Sequence, residues 1–185
     1  SMNRIAPRAE PGSDAASVMS VMLRKITGFS GLVHENMYRA AGWQFLTIGR
    51  SMERAAMMTD LLAAVADPKS PDGGLDLAIE VGDSIMVHRQ RYAVLTNREN
   101  VVDLLGLDPT NPRSVRFHLA ILGKWVEVLY GTRPENQTRK FERKVVALQE
   151  AFKAHTVYTL DTQALMKAHW QILDLSTVLN ATFIL

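Results

Sequence analysis

Apolar residues recur at spacings of three and four along most of this chain, and no stretch alternates apolar and polar at the period of a strand. Val115, Leu119, Leu122, Val126 and Leu129 form one such stripe. Phe141, Val145, Leu148, Phe152 and His155 form a second, and Leu165, Ala168, Ile172, Leu175 and Leu179 a third. The pattern predicts an all-α fold, a bundle of six to eight helices. At 185 residues the chain suits one domain whose core is large enough to fold without staples. It contains no Cys, which excludes disulfides, thiolate nucleophiles and Cys-based metal sites.

The connections can be placed from turn chemistry. Residues 1–13 read as a flexible lead-in that begins with a tag remnant, Ser1-Met2, and residues 14–185 as the helical domain. Ser13 or Asp14 is expected to cap a first helix to about Ile26, and Gly28 and Gly31 to break it before a short helix over about 30–39. Ala40-Ala41-Gly42 reads as a tight turn, followed by a long helix from Trp43 to about Val65. Asp67 to Gly74, with two prolines and two glycines, is the strongest loop. A single helix over about 75–92 comes next. Thr96-x-x-Glu99 and Thr132-x-x-Glu135 each have the form of a capping box. Asp108 to Pro112 is a loop in which Asn111 can cap the following helix and Pro112 can open it. The last helix begins near Asp161.

The region from Gly31 to Leu62 places Glu35, Arg39, Arg50, Glu53 and Arg54 in surroundings apolar enough to be buried. Buried charges cost several kcal/mol unless paired. On a wheel at 100° per residue, Leu46, Arg50, Glu53, Arg54, Met57 and Leu61 share one face of the long helix. Phe45, Ile48, Met52, Ala55, Thr59 and Leu62 lie opposite. Both faces are largely apolar, which predicts a central helix. The following helix carries Glu80 and Asp83. The expectation is an internal lattice in which Arg50 and Arg54, with Arg39 as a further member, face Glu80 and Asp83.

Other chemistries find little support. A carboxylate di-metal bundle needs Glu-x-x-His pairs, but Glu35 is followed three residues on by Tyr38, Glu53 by Ala56 and Glu80 by Asp83. His34, His88, His118, His155 and His169 have no ligand spacing, so no metal or cofactor is expected. No nucleophile elbow or phosphate-binding glycine loop occurs. The net charge of +2, from 21 Lys+Arg against 19 Asp+Glu, gives no argument for nucleic acid or membrane. The basic cluster at 139–144 reads as a solvated face. No apolar run approaches the ~20 residues that span a bilayer, and residues 1–14 lack a signal-peptide core, so a cytoplasmic location is expected.

Several motifs together resemble the bacterial Alpha-E domain family. They are Glu35-Asn36-Met37-Tyr38-Arg39, Gly42-Trp43-Gln44-Phe45-Leu46 and Ile48-Gly49-Arg50-Ser51-Met52-Glu53-Arg54-Ala55. Further matches are Ala78-Ile79-Glu80-Val81-Gly82-Asp83-Ser84, Tyr92 and the run Val102 to Ser114. The similarity implies an all-helical fold with characteristic glutamates. Because family members usually begin with a related helical segment absent here, it implies the C-terminal portion of such a domain. It also implies partners: a circularly permuted ATP-grasp protein and a transglutaminase-like peptidase, in a system that makes or modifies peptides. The expected role is an accessory module that binds peptide or partner protein through Glu35, Arg39, Arg50, Glu53, Arg54, Glu80 and Asp83. Two rivals stay open: a catalytic domain using a buried Glu as general acid or base, and a scaffold whose charge lattice fixes helix register. Oligomeric state is left open too.

Overall fold

The computed structural model describes residues 15–92, 96–131 and 139–183. Among these, eight α-helices and one π-helical segment form, and no strand. The chain divides into two units, Ser1–Trp43 and Gln44–Leu185.

In the first unit α1 runs unbroken over Ala15–Asn36. Gly28 and Gly31 do not interrupt it, contrary to the expected break. A glycine inside a helix costs about 1 kcal/mol, which weakens the helix without requiring a break. The chain turns over residues 37–40, and α2 (Ala41–Val65) begins two residues earlier than the sequence implies. Arg39 closes the end of α1. Its guanidinium donates to the His34 carbonyl and lies 3.5 Å from the centre of the Trp43 ring. A cation on the last free carbonyls of a helix both satisfies an acceptor and meets the negative end of the dipole. The expected caps Ser13 and Asp14, the lead-in 1–13 and the capping box at Thr132 lie outside the described residues.

In the second unit α2 is one-sided. Ile48, Met52, Ala55, Thr59 and Leu62 are buried, and the Thr59 hydroxyl donates to the carbonyls of Ala55 and Ala56. The opposite face carries Glu53, Arg54 and Met57 and is exposed, with Met57 at 67 %. Its apolar look in sequence came from Leu46, Met57 and Leu61, none of which is buried. The helix is therefore amphipathic rather than central.

The expected helix over 75–92 is two: α3 (Gly74–Val81) and α4 (Ile85–Tyr92). The break is a Schellman turn. The Ser84 amide donates to the Ile79 carbonyl and the Asp83 amide to Glu80, with Asp83 left-handed at φ 46°. Glycine is the usual residue at that position, and here it sits one place earlier. At Gly82 a Cβ would lie 2.6 Å from a Leu105 methyl and 3.0 Å from the Ala78 carbonyl oxygen. Gly82→Ala is thus expected to destabilise the fold by about 2 kcal/mol through overpacking, seen as a lowered midpoint in thermal unfolding.

Asn97, not Thr96, caps α5 (Arg98–Val101), accepting from the Asn100 amide at 2.8 Å. Thr96 bonds Asp76 instead. The chain continues as a π-helical segment over Val102–Leu107, where all but Asp103 are buried. The next three helices follow their predicted stripes. In α6 (Val115–Gly131), Val115, Leu119, Leu122, Val126 and Leu129 are buried. In α7 (Lys140–Ala154) they are Phe141, Val145, Leu148 and Phe152. In α8 (Thr162–Phe183) they include Leu165, Ala168, Ile172, Leu175 and Leu179. Asp161 caps α8 through the Ala164 amide. Together with the inner face of α2 these stripes build one core.

Candidate functional site

The loop before α6 is held by buried polar side chains. Asp108 accepts from the amide and hydroxyl of Thr110, each at 2.7 Å. Its other oxygen lies 2.6 Å from Arg91, a charge contact without the alignment of a full hydrogen bond. Burial would raise the Asp108 carboxyl, but Thr110 and Arg91 outweigh it and hold the group below the usual carboxylate range. Asn111 donates to the Leu104 carbonyl at 2.8 Å and to the Ser84 hydroxyl at 3.2 Å. Ser114, not Asn111, caps α6. Its hydroxyl accepts from the Phe117 amide and donates to the Asp108 carbonyl. Pro112 consequently lies in the turn before the helix rather than at its first position.

This knot holds the backbone at Arg113. Its amide donates to Asn111 Oδ1 at 3.0 Å, and its guanidinium reaches Asp83 at 2.8 Å. It lines a cleft of about 510 Å³ with Arg54, Met57, Asp60, Val81 and His118. Its apolar lining comes from Met57, Met58, Leu61, Ala64 and Val81. His118 is buried at the base. Burial, then the positive charges of Arg54 and Arg113, push its imidazole down to about 4, against a contact to the Pro112 carbonyl that pulls the other way. The ring is neutral at pH 7.

A second cleft of about 400 Å³ lies on the other side of the exposed face of α2. Glu53, Met57, Asp60, His169, Ile172 and Leu173 line it. His169 Nδ1 lies 3.0 Å from the Ala56 carbonyl, which makes that nitrogen the donor. Met57 and Asp60 border both clefts. The neighbours Glu53 and Arg54, 100° apart on the helix, therefore split across a ridge: the carboxylate to one cleft, the guanidinium to the other.

The expected internal lattice does not form. Glu53, Arg54, Glu80 and Asp83 are exposed and Arg50 is half-buried. Among the described residues no ion pair joins Arg50 or Arg54 to Glu80 or Asp83, and Asp83 takes Arg113 instead. The physical reason is the one-sidedness of α2 and the turn at Asp83, which together put these charges in water. Arg54 and Asp83 still meet at one cleft, Asp83 through Arg113, and Glu53 borders the adjoining one. Glu80 lines a separate cleft of about 490 Å³ with Asp76, His88 and Arg89. Arg50 borders none of these clefts. Glu35 and Arg39 belong to the first unit, both exposed, with Glu35 3.6 Å from His34. Sequence reasoning missed Arg113 and His118. The signal was available for Arg113, which stands between a turn proline and a serine able to cap. Nothing local marks His118. Among the described residues no group of His, Asp and Glu is arranged to hold a metal, and no helix is long and apolar enough to cross a membrane.

A family model named Alpha-E, described as a predicted alpha-helical domain with a conserved ER motif, matches residues 2–184. The dipeptide occurs twice, as Glu53-Arg54 and as Glu142-Arg143. Curated relatives include an uncharacterized protein of Mycobacterium bovis and two of Mycobacterium tuberculosis. Each is 25 % identical over 94 % of this chain and 21 % of its own length. The chain thus spans about a fifth of the relatives it matches. No solved structure gives a significant match.

Proposed function

Because this chain belongs to the Alpha-E family, we propose that it is an accessory helical module which binds a peptide segment along the exposed ridge of α2. The setting is the one the resemblance implies, a system of ATP-grasp and transglutaminase-like proteins that makes or modifies peptides, in the cytoplasm. One observation carries the reading: Glu53 and Arg54 sit on a solvent-facing ridge between two apolar clefts that share Met57 and Asp60. A helix that spends a carboxylate, a guanidinium and a 67 % exposed methionine on its surface presents anchors of the kind that bind other chains. The carboxylate suits amide and amino donors, the guanidinium suits carboxylates, and methionine adapts to varied side chains.

The ridge favours binding over acid–base catalysis. The catalytic rival asks for a buried Glu as general acid or base, and both Glu53 and Glu80 are exposed. The test is size-exclusion chromatography of the purified chain with its ATP-grasp neighbour and, separately, with peptides that neighbour makes. Co-elution with either is expected, and Met57→Asp, which puts a charge where both clefts meet, is expected to abolish it. Absence of association with both protein and peptides rules the reading out.

A further inference from the structure

Two arginines from distant parts of the chain border one apolar cleft, and their partners differ. Arg113 is committed to Asp83 through one terminal nitrogen, which leaves its Nε and second terminal nitrogen as donors. Arg54 has no ion-pair partner among the described residues. The remaining charge on the cleft is Asp60. It stands six residues beyond Arg54, about 9 Å along the helix axis at 1.5 Å per residue, and the lining runs on past it to Leu61 and Ala64. The rest of the lining, His118 apart, is apolar.

We propose that this cleft holds the carboxyl end of a peptide whose last side chain is apolar, with Arg54 and Arg113 on the carboxylate and Met57, Leu61 and Val81 around the side chain. The inference rests on the ridge-binding reading above and names the ligand class for one of its two clefts. A guanidinium pair matches the planar two-oxygen geometry of a carboxylate. The buried neutral His118 adds a polar wall without a competing charge. Asp60 borders the site and repels a phosphate dianion more than a single negative charge. An apolar floor of this size is wasted on an inorganic anion, and fits an aliphatic side chain.

The probes are N-acetyl-Ala-Leu, N-acetyl-Ala-Met and N-acetyl-Ala-Phe, each as free acid and as amide, with inorganic phosphate as a further arm. Binding to the 185-residue chain is read from amide shifts in two-dimensional NMR. At least one acid is expected to bind about tenfold or more tighter than its amide, since charge-assisted hydrogen bonds carry the difference. Arg54→Gln should erase that ratio while leaving the spectrum folded, because Arg54 is exposed. Phosphate should displace no acid at equal concentration. Equal binding of acid and amide, both lost in Met57→Asp, overturns the carboxylate assignment and leaves ridge binding standing. Displacement by phosphate marks a general anion site and overturns it as well. If no probe of either form binds, the carboxylate assignment falls on its own, and the chromatography above judges the ridge.

Discussion

Arg98→Ala is expected to destabilise the fold by about 4 kcal/mol, the largest single effect of any polar residue here. The side chain is a clamp on three backbone carbonyls from two distant segments. Nε donates to Ala66 at 3.2 Å, and the terminal nitrogens to Val157 and Leu160 at 2.7 Å each. Ala66 directly follows α2, and 157 and 160 lie in the connection between α7 and α8. Alanine leaves three carbonyls without a donor, two of them on buried residues. Each charge-assisted bond contributes roughly 1.5–3 kcal/mol, and water reaching the half-buried guanidinium position recovers part of the loss. Arg98→Lys, with a point charge that reaches one carbonyl at a time, should fall in between. Urea unfolding of the three proteins measures the series, and a loss below 1 kcal/mol for alanine would show that the clamp is incidental.

The second large effect is a pH dependence seated at His118. The imidazole titrates near 6.5 in an unfolded chain and near 4 in the fold. The folded state binds the proton more weakly, so the contribution is fully present above 6.5 and is lost as pH falls from 6.5 through 4. The groups that face it act in opposite directions: Arg54 from α2 and Arg113 from the loop disfavour the proton, and the Pro112 carbonyl favours it. Two and a half pH units correspond to about 3 kcal/mol. Stability of the unchanged chain should therefore decline over that window. His118→Gln, which keeps a donor for Pro112 and cannot titrate, should flatten the decline by about that amount. Asp108, also held low, contributes a loss of the same sign at lower pH, which His118→Gln leaves in place. An unchanged slope in the variant would place the titration elsewhere.

How much of this could be read from the chain depends on the kind of signal. The stripes of α6, α7 and α8 were legible because each buries one face against the others, so spacing alone exposes them. The loop at 67–74 and the start of α8 near Asp161 were legible because turn and cap chemistry is local. The break at Asp83 was not, since the glycine stands at position 82 for a packing reason involving Leu105, twenty-three residues away. The orientation of α2 was misread because Met57 and Leu61 have the composition of a core and the position of a surface. An apolar residue on the surface and one in the core look alike in sequence. That same ambiguity turned exposed charges into an expected buried lattice. Arg98 escaped notice because its three acceptors are backbone atoms, which carry no sequence identity at all.

The account stands on Glu53 and Arg54 being displayed rather than spent on stability. Urea unfolding of the double variant Glu53→Gln/Arg54→Gln against the unchanged chain tests this most directly. The exposed ridge predicts a difference within about 0.5 kcal/mol. A loss of about 3–5 kcal/mol, the cost of breaking a buried ion pair, would contradict it and return both residues to the interior.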